Sequence, residues 1–417
     1  MTHTKTPHDR KATPLMTTES PSLTQLDADW LNETYLHLHR NPELSMQEHA
    51  TAAFIEEQLT VLGIENFRCG DTGVVGLMRN GEGPTIAFRA DTDGLPIKED
   101  TGADYASQAT GHLPDGTEVP VMHGCGHDTH VAVLLAAARV LWENRQGWAG
   151  TLVLLFQPGE ETGAGARAMV ADGLWDRAPR PEVVLGQHVF PYAAGTVHIS
   201  SGTAMALADA LKVTLHGRQS HGSQPQDSVD PIVLGAHIIT RLQGIVSREL
   251  APTTPAVVTA GTFHAGLKEN IIPDRAEFTL NIRTLTPEVR ATVLDAVTRI
   301  VNAEAQASRA PQPDIEHIYD FPRCYNDPEH TRSVVAALRA ELGEGQVVLT
   351  PPVMGSEDVG WLGDSIGVPT VYWFFGGFPA EEKNPPVNHS PYFLPVMEPT
   401  LTSGVRAALA AISRYLA

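Results

Sequence analysis

Cysteine is scarce: Cys69, Cys125 and Cys324 are the only three in 417 residues. An odd count at that density excludes a disulfide framework and fits a reducing compartment, so a cytoplasmic location is expected. Long apolar runs are also missing. The longest, Val131–Trp142, is interrupted by Arg139 and is too short to span a bilayer. Basic residues are outnumbered, 29 Lys and Arg against 49 Asp and Glu, for a formal charge of −20. Such a chain repels phosphate backbones, which argues against a nucleic-acid partner. Residues 1–22 lack an apolar secretory core, contain Pro7, Pro14 and Pro21, and read as a disordered tail. What is present is 42% hydrophobic and 19% charged, enough to bury a sizeable core in two or three domains.

Helical spacing comes first, over Asp29–Arg40 and Gln47–Leu62, the second ending at Gly63. Short apolar runs follow at Gly73–Met78, Thr85–Arg89, Thr151–Gln157 and Val183–Val189, with helices at His127–Asn144 and Ala164–Leu174 between and after them. Strands alternating with helices predict an α/β domain with a mainly parallel sheet. The rhythm changes near Leu207. Strands at Ala210–His216, Ala256–His264, Arg275–Leu285 and Asp314–Tyr319 interleave with helices at Asp230–Leu250 and Pro287 to about Ala307, capped by Asp230 and Thr286. That β-α-β-β-α-β order predicts a ferredoxin-like insert. The expected division is a tail at 1–22, a catalytic domain from 23–206 and 320–417, and an insert at 207–319.

Eighteen histidines invite a search for clusters with thiols and carboxylates. The stretch Met122-His-Gly-Cys-Gly-His-Asp-Thr-His130 opens the long helix. Thiolate and imidazole suit zinc-like ions, and Gly124 and Gly126 let Cys125 and His127 face one centre. Asp128 is a candidate to orient a ligand, and His130 shares nearly the same helical face as His127. A buried Cys beside a capping His, or a thiolate nucleophile activated by His, would also use these residues. Gln157-Pro-Gly-Glu-Glu161 follows an apolar strand; neighbouring carboxylates point apart, so one can hold a metal while the other serves as a base. A solvated acidic loop is the plainer reading. His188 and His389 are weak signals singly. With Cys125, His127 and Glu161 they make enough ligands for two metal ions, and Asp91 and Asp93 stand where they could support the site from beneath.

These motifs, with Arg89-Ala-Asp-Thr-Asp-Gly-Leu-Pro96, Gly355-Ser-Glu-Asp358 and His389-Ser-Pro391, occur in an order that resembles the aminoacylase/carboxypeptidase metallopeptidases, specifically their amidohydrolase branch. That branch includes hippurate hydrolases, auxin–amino acid hydrolases and N-acylglutamine aminoacylases. The resemblance covers nearly everything after residue 27, and Asn41–His49 and Gly81–Thr101 are similar to the last group. It implies that Cys125, His127, Glu161, His188 and His389 are metal ligands and Glu160 the general base. It implies that His221, in the insert, helps stabilise the oxyanion, commonly in a neighbouring subunit's site, and that Asn270 and Arg283 bind substrate. Gly159 departs from the usual Ala, and Gln219-Ser220-His221 with Gln224-Pro225 departs from the usual Gly-Gly-His and Met-Pro, which weakens the transfer to His221.

The implied reaction is amide hydrolysis of an N-acyl amino acid, acyl-glutamine among the candidates, by a water activated between two divalent ions. Zinc is expected, with Mn2+ or Co2+ as alternatives. The implied partners are the small-molecule substrate and a second copy of the chain, with neither nucleic acid nor membrane. Arg283 and Lys268 are candidate contacts for the substrate carboxylate, although Arg283 could equally be a salt-bridged sheet residue. A dipeptidase or carboxypeptidase, a Cys–His hydrolase and a silent metal-binding scaffold are the competing readings.

Overall fold

The computed structural model describes residues 26–416; the tail expected at 1–22 lies outside them. Asp27 opens α1 (Ala28–Arg40) by accepting from the Trp30 N–H at 3.0 Å. Helix α2 (His49–Leu62) stops at Gly63, whose φ of 76° only glycine adopts freely. In chain order there follow β1 (Glu65–Cys69), β2 (Gly73–Asn80), β3 (Thr85–Asp91), α3 (His127–Glu143), β4 (Gly150–Gln157), α4 (Gly165–Ala171), β5 (Val184–Ala193) and β6 (Gly202–Met205). Next come β7 (Leu207–His216), α5 (Pro231–Gly244), β8 (Ala256–Ala265), β9 (Arg275–Thr284), α6 (Pro287–Ala307) and β10 (Asp314–Phe321). The chain closes with β11 (Cys324–Asn326), α7 (Pro328–Leu342), β12 (Thr370–Phe378) and α8 (Met397–Leu416). The single helix expected over Ala164–Leu174 is interrupted at Gly173, which takes φ 78° and starts a separate short helix. The helix expected over Asp230–Leu250 is α-helical only to Gly244 and widens into a π-turn over Ile245–Glu249.

The large sheet has ten strands, eight of them in the order β1-β2-β4-β3-β5-β12-β11-β6. Its centre is parallel, β4-β3-β5-β12, and its flanks β1-β2-β4 and β11-β6 are antiparallel. The alternation of side chains assigns each strand to two cores. Val74, Met78, Ile86 and Phe88 face one layer with α1, α2, α3, α7 and α8; Val75, Leu77 and Ala87 face the other with α4 and Leu362. Helix α3 is buried on nearly every side from His127 to Leu141, as a helix lying under a sheet and roofed by others must be. That burial fixes its first turn, where the sequence placed its histidines.

After β6 the chain leaves the large sheet and returns at β11, which pairs with β6. The intervening segment forms an antiparallel sheet in the order β8-β9-β7-β10. Helices α5 and α6 supply Ile238, Leu242 and Val297 to a third core with Val213 and Phe278. Asp230 caps α5 by accepting from the Ile232 and Val233 N–H groups, and Thr286 caps α6 through Val289 N–H. The chain order β-α-β-β-α-β read from the sequence is the one present.

Candidate metal centre

Two sharp turns aim the candidate ligands. Gly126 precedes α3 with φ 82°, and a Cβ there would fall 2.4 Å from the Val189 side chain, so the turn admits only glycine. It lets Cys125 and His127 face the same point. Gly159 takes φ 56° after β4, and the next two carboxylates diverge. Glu161 joins Cys125 and His127, their ligand atoms all within 4.8 Å of one another, while Glu160 turns toward Glu357 and Asp358. His188 Nε2 lies 3.4 Å from Cys125 Sγ, and His389 Nε2 lies 3.2 Å from Glu161 Oε2. The five ligand candidates from the sequence therefore converge. His188 does so from within β5, which runs on to Ala193, rather than from a strand end.

These residues fit a divalent cation. His127 Nδ1 donates to Asp93 Oδ1 at 3.1 Å and His188 Nδ1 to the Val189 carbonyl at 2.6 Å. Each donation leaves the Nε2 lone pair of the same ring turned toward the cluster, the arrangement a metal-binding imidazole needs. His127 Nε2 and Glu161 Oε1 are buried without a hydrogen-bond partner, a cost of about 1–3 kcal/mol each that a bound cation removes. Thiol, carboxylate and imidazole together are the donor set of zinc-like ions. The adjoining group Asp91, His127, His130 and His188 is equally tight but differently engaged. Asp91 accepts from Arg89 at 2.7 Å and from His130 Nδ1, while His130 Nε2 accepts from the Val189 N–H at 2.8 Å. Both His130 nitrogens are thus used, and His130 supports the ligands without joining them.

Electrostatics separate the roles. Burial pushes the Cys125 thiol well up, and Glu161, Glu160 and Asp91 push it further. Burial and His130 hold His188 well below the usual imidazole range. Both shifts run against the thiolate–imidazolium pair that a cysteine nucleophile needs. Burial opposes protonation of His127, but Asp91, Asp93 and Glu161 outweigh it and push the ring up to about 10. The cluster attracts positive charge. Burial, then Glu357, Glu161 and Asp358, push Glu160 well above the usual carboxylate range, which raises its affinity for a proton.

Beneath the site lies a buried ion network. Arg89 donates to Gln157 Oε1 at 2.9 Å, Asp91 at 2.7 Å, Glu357 at 2.7 Å and Asp358 at 3.1 Å. Glu357 and Asp358 position the loop before Gly360, and Asp358 also accepts from the Ala166 N–H at 3.0 Å. Asp128 does not orient a ligand. One residue on from His127 it points about 100° around the helix, where its carboxylate accepts from His39 Nδ1 at 2.7 Å. Glu99 holds the other His39 nitrogen at 3.2 Å. Burial disfavours charge on His39, but the two carboxylates raise it to about 9.

The cluster opens into a cleft of about 370 Å³. Cys125, Glu160, Glu161, His188 and His389 line one end. Phe190, Phe374, Phe321 and Met205 supply apolar lining, and Arg283 and Ser356 line it as well. Arg283 donates to Ser356 Oγ at 2.6 Å and to Asn281 at 2.9 Å, and among the described residues no carboxylate pairs with it. His221 and Asn270 are not brought to the cleft. They sit exposed on a two-stranded ribbon, Ser220–His221 against Ile271–Ile272. His216 pairs with Asp314 at 2.8 Å on the outer face of the segment. The aromatic wall went unread in the sequence, because only the packing of β5, β10 and β12 gathers it; Ser356 was read only as part of Gly355-Ser-Glu-Asp358 and given no task of its own.

Residues 87–414 match the model of peptidase family M20/M25/M40. The chain belongs to this family. Among curated relatives of this M20 chain, "Thermostable carboxypeptidase 2" of Saccharolobus solfataricus is 37% identical over 355 residues, covering 84% of this chain and 86% of its own. "Hippurate hydrolase" of Campylobacter jejuni is 35% identical over 333 residues, covering 78% and 82%. The solved YXEP protein of Bacillus subtilis, described as a dinuclear metal-binding peptidase of the M20 family, is 30% identical. It superposes with a TM-score of 0.75, covering 92% of this chain and 98% of that one. The M20 chain is thus a hydrolase of amide or peptide bonds with a cluster able to hold metal. Among the described residues no helix is long and apolar enough to cross a membrane.

Proposed function

We propose that this chain hydrolyses the amide bond of N-acyl amino acids. One observation carries the reading: a buried Glu160 lines the same cleft as Cys125, Glu161, His188 and His389, together with Arg283, which pairs with no carboxylate among the described residues. Divalent ions held by Cys125, His127, Glu161, His188 and His389, zinc being the best match, would polarise the substrate carbonyl and acidify water at the site. Glu160 takes the proton of the attacking water and delivers it to the departing nitrogen. Arg283 grips the substrate carboxylate, and the wall of Phe190, Phe374 and Phe321 receives an apolar acyl group such as benzoyl.

The division into a catalytic domain and an insert at 207–319 gives His221 and Asn270 their place in this scheme. The insert acts as a ferredoxin-like lid that also pairs two subunits, and these residues complete the oxyanion site from it. Mixing His221→Ala with Glu160→Gln subunits tells closure from sharing. Activity regained in the mixture places His221 in the neighbouring subunit's site, and a dead mixture places it in its own.

A carboxypeptidase reading has specific support, because a 37% identical relative carries that name. Both readings use Arg283 for the terminal carboxylate. They differ at the acyl side, where the carboxylates lining the cleft already have tasks in this reading: Glu161 in the ligand cluster, Glu160 as the base and Glu357 bound to Arg89, rather than receiving an α-ammonium group. A panel pairing N-acyl amino acids, acyl-glutamine included, with the corresponding free dipeptides therefore tests the proposal. Preference for the acylated member supports it, and hydrolysis of dipeptides alone contradicts it. In the same panel Arg283→Met is expected to lower kcat/KM by about 10- to 100-fold, mostly through KM, the value of a hydrogen bond to a charged group.

A further inference from the structure

The sequence singles out Asn41–His49, between α1 and α2, and hydrolysis as described gives it no task. Its side chains brace the catalytic turn. Ser45 Oγ donates to Asp93 Oδ2 at 2.6 Å, and Asp93 also accepts from the Glu161 N–H at 3.0 Å and holds the His127 ring. Glu48 is fully buried. One of its oxygens accepts from the Gly159 N–H at 2.7 Å, the other from Thr72 Oγ1 at 2.5 Å. Met46 fills the open face of Gly159, where a Cβ would meet its Sδ at 2.6 Å. Glu48 stands at the N-cap of α2, yet its side chain makes no cap hydrogen bond. Helix capping, the ordinary use of an acidic residue there, does not account for it.

We propose that Glu48 is a positioning residue for hydrolysis: its carboxylate pins the Gly159 backbone and so fixes the direction in which Glu160 faces the cleft. The proposal rests on the reading of Glu160 as the base. A carboxylate held by two donors in a dry interior is a rigid anchor. Burial, followed by Asp93, pushes Glu48 up to about 7 against the pull of its two donors, so the charge costs stability where it stands. A costly group kept at a catalytic turn is what a trade of stability for geometry produces.

The test is Glu48→Gln, assayed on whichever amide substrate the wild type turns over best. The side chain keeps its size but presents an NH2 group to one of two donors. Expected is a fall in kcat of about 10- to 100-fold, the effect of a small misplacement, with KM within about twofold of wild type. Metal content stays at the wild-type level. In metal-free protein, hydrogen exchange over residues 157–163 speeds up by about tenfold as the charged acceptor of the Gly159 N–H becomes a weaker amide oxygen. Thr72→Val removes one donor and lowers kcat by a smaller factor, and Thr72→Ser restores it. Unchanged kcat in Glu48→Gln, or a fall in kcat with unchanged exchange at the turn, overturns the proposal. If Glu48→Gln does not fold, Thr72→Val decides: a wild-type kcat there overturns it. Glu160→Gln separates the two readings. An active Glu160→Gln sinks the assignment of the base, whereas an inactive one beside a wild-type-like Glu48→Gln sinks the positioning role alone.

Discussion

Glu160→Gln is expected to lower kcat by about 10²–10⁴-fold, the share of a rate that a positioned acid–base group supplies. KM and metal content should stay near wild type, because Glu160 faces Glu357 and Asp358 and lies outside the Cys125–His127–Glu161 cluster. Stability should hold or rise. Burial and three neighbouring carboxylates act against charge on Glu160, and the neutral amide relieves that repulsion. A variant at least as stable as wild type, loaded with metal and inactive, has lost chemistry rather than structure. Steady-state kinetics, metal analysis and chemical denaturation on one preparation check all three. Activity within tenfold of wild type would remove Glu160 from the mechanism.

Arg89→Met is expected to act in the opposite sense, on stability first. Arg89 is buried to 1% exposure and its guanidinium offsets Asp91, Glu357 and Asp358. Removing one member of such a network leaves buried charge uncompensated, at a cost of about 3–5 kcal/mol. The deficit should shrink in acid. In the wild type, burial opposes charge on Asp91 but Arg89, His127 and His130 outweigh it and hold its carboxyl well below the usual range. That contribution is present above the unfolded value of about 3.9 and is lost as pH falls. In the variant the buried carboxyls take up protons on folding, so acid favours its native state. Denaturation of both proteins across pH measures the gap, and a loss under about 1 kcal/mol at neutral pH would deny the network its role.

Local spacing made part of the site legible. Cys125 and His127 are separated by one left-handed glycine, and Glu160 and Glu161 directly follow another, Gly159, two residues beyond β4. Short-range geometry of that kind survives any tertiary arrangement. Asp91 and Asp93 were legible as supports because Asp91 ends β3 and Asp93 follows two residues later, next to β4 in the parallel sheet. Contacts across the fold were not legible. Arg89 meets residues 268 and 269 positions away, and Glu48 meets Gly159 at a separation of 111. No periodicity encodes those pairings; the strand order does. Asp128 shows the converse failure. Its place beside His127 suggested a shared task, but the helix turns it toward His39 on α1. His221 and Asn270 were carried over by resemblance, and the ribbon that bears them stands away from the cleft.

The most direct test of the account is to strip the protein with a chelator and titrate zinc back. Bound metal and amino acid release from hippurate are followed together. The account predicts that release disappears with the metal and returns on titration, reaching its plateau at about two ions per chain. It also predicts that Cys125, engaged as a ligand, resists iodoacetamide in the loaded protein. Full activity after chelation, abolished instead by iodoacetamide, would contradict it and return the chemistry to a cysteine nucleophile.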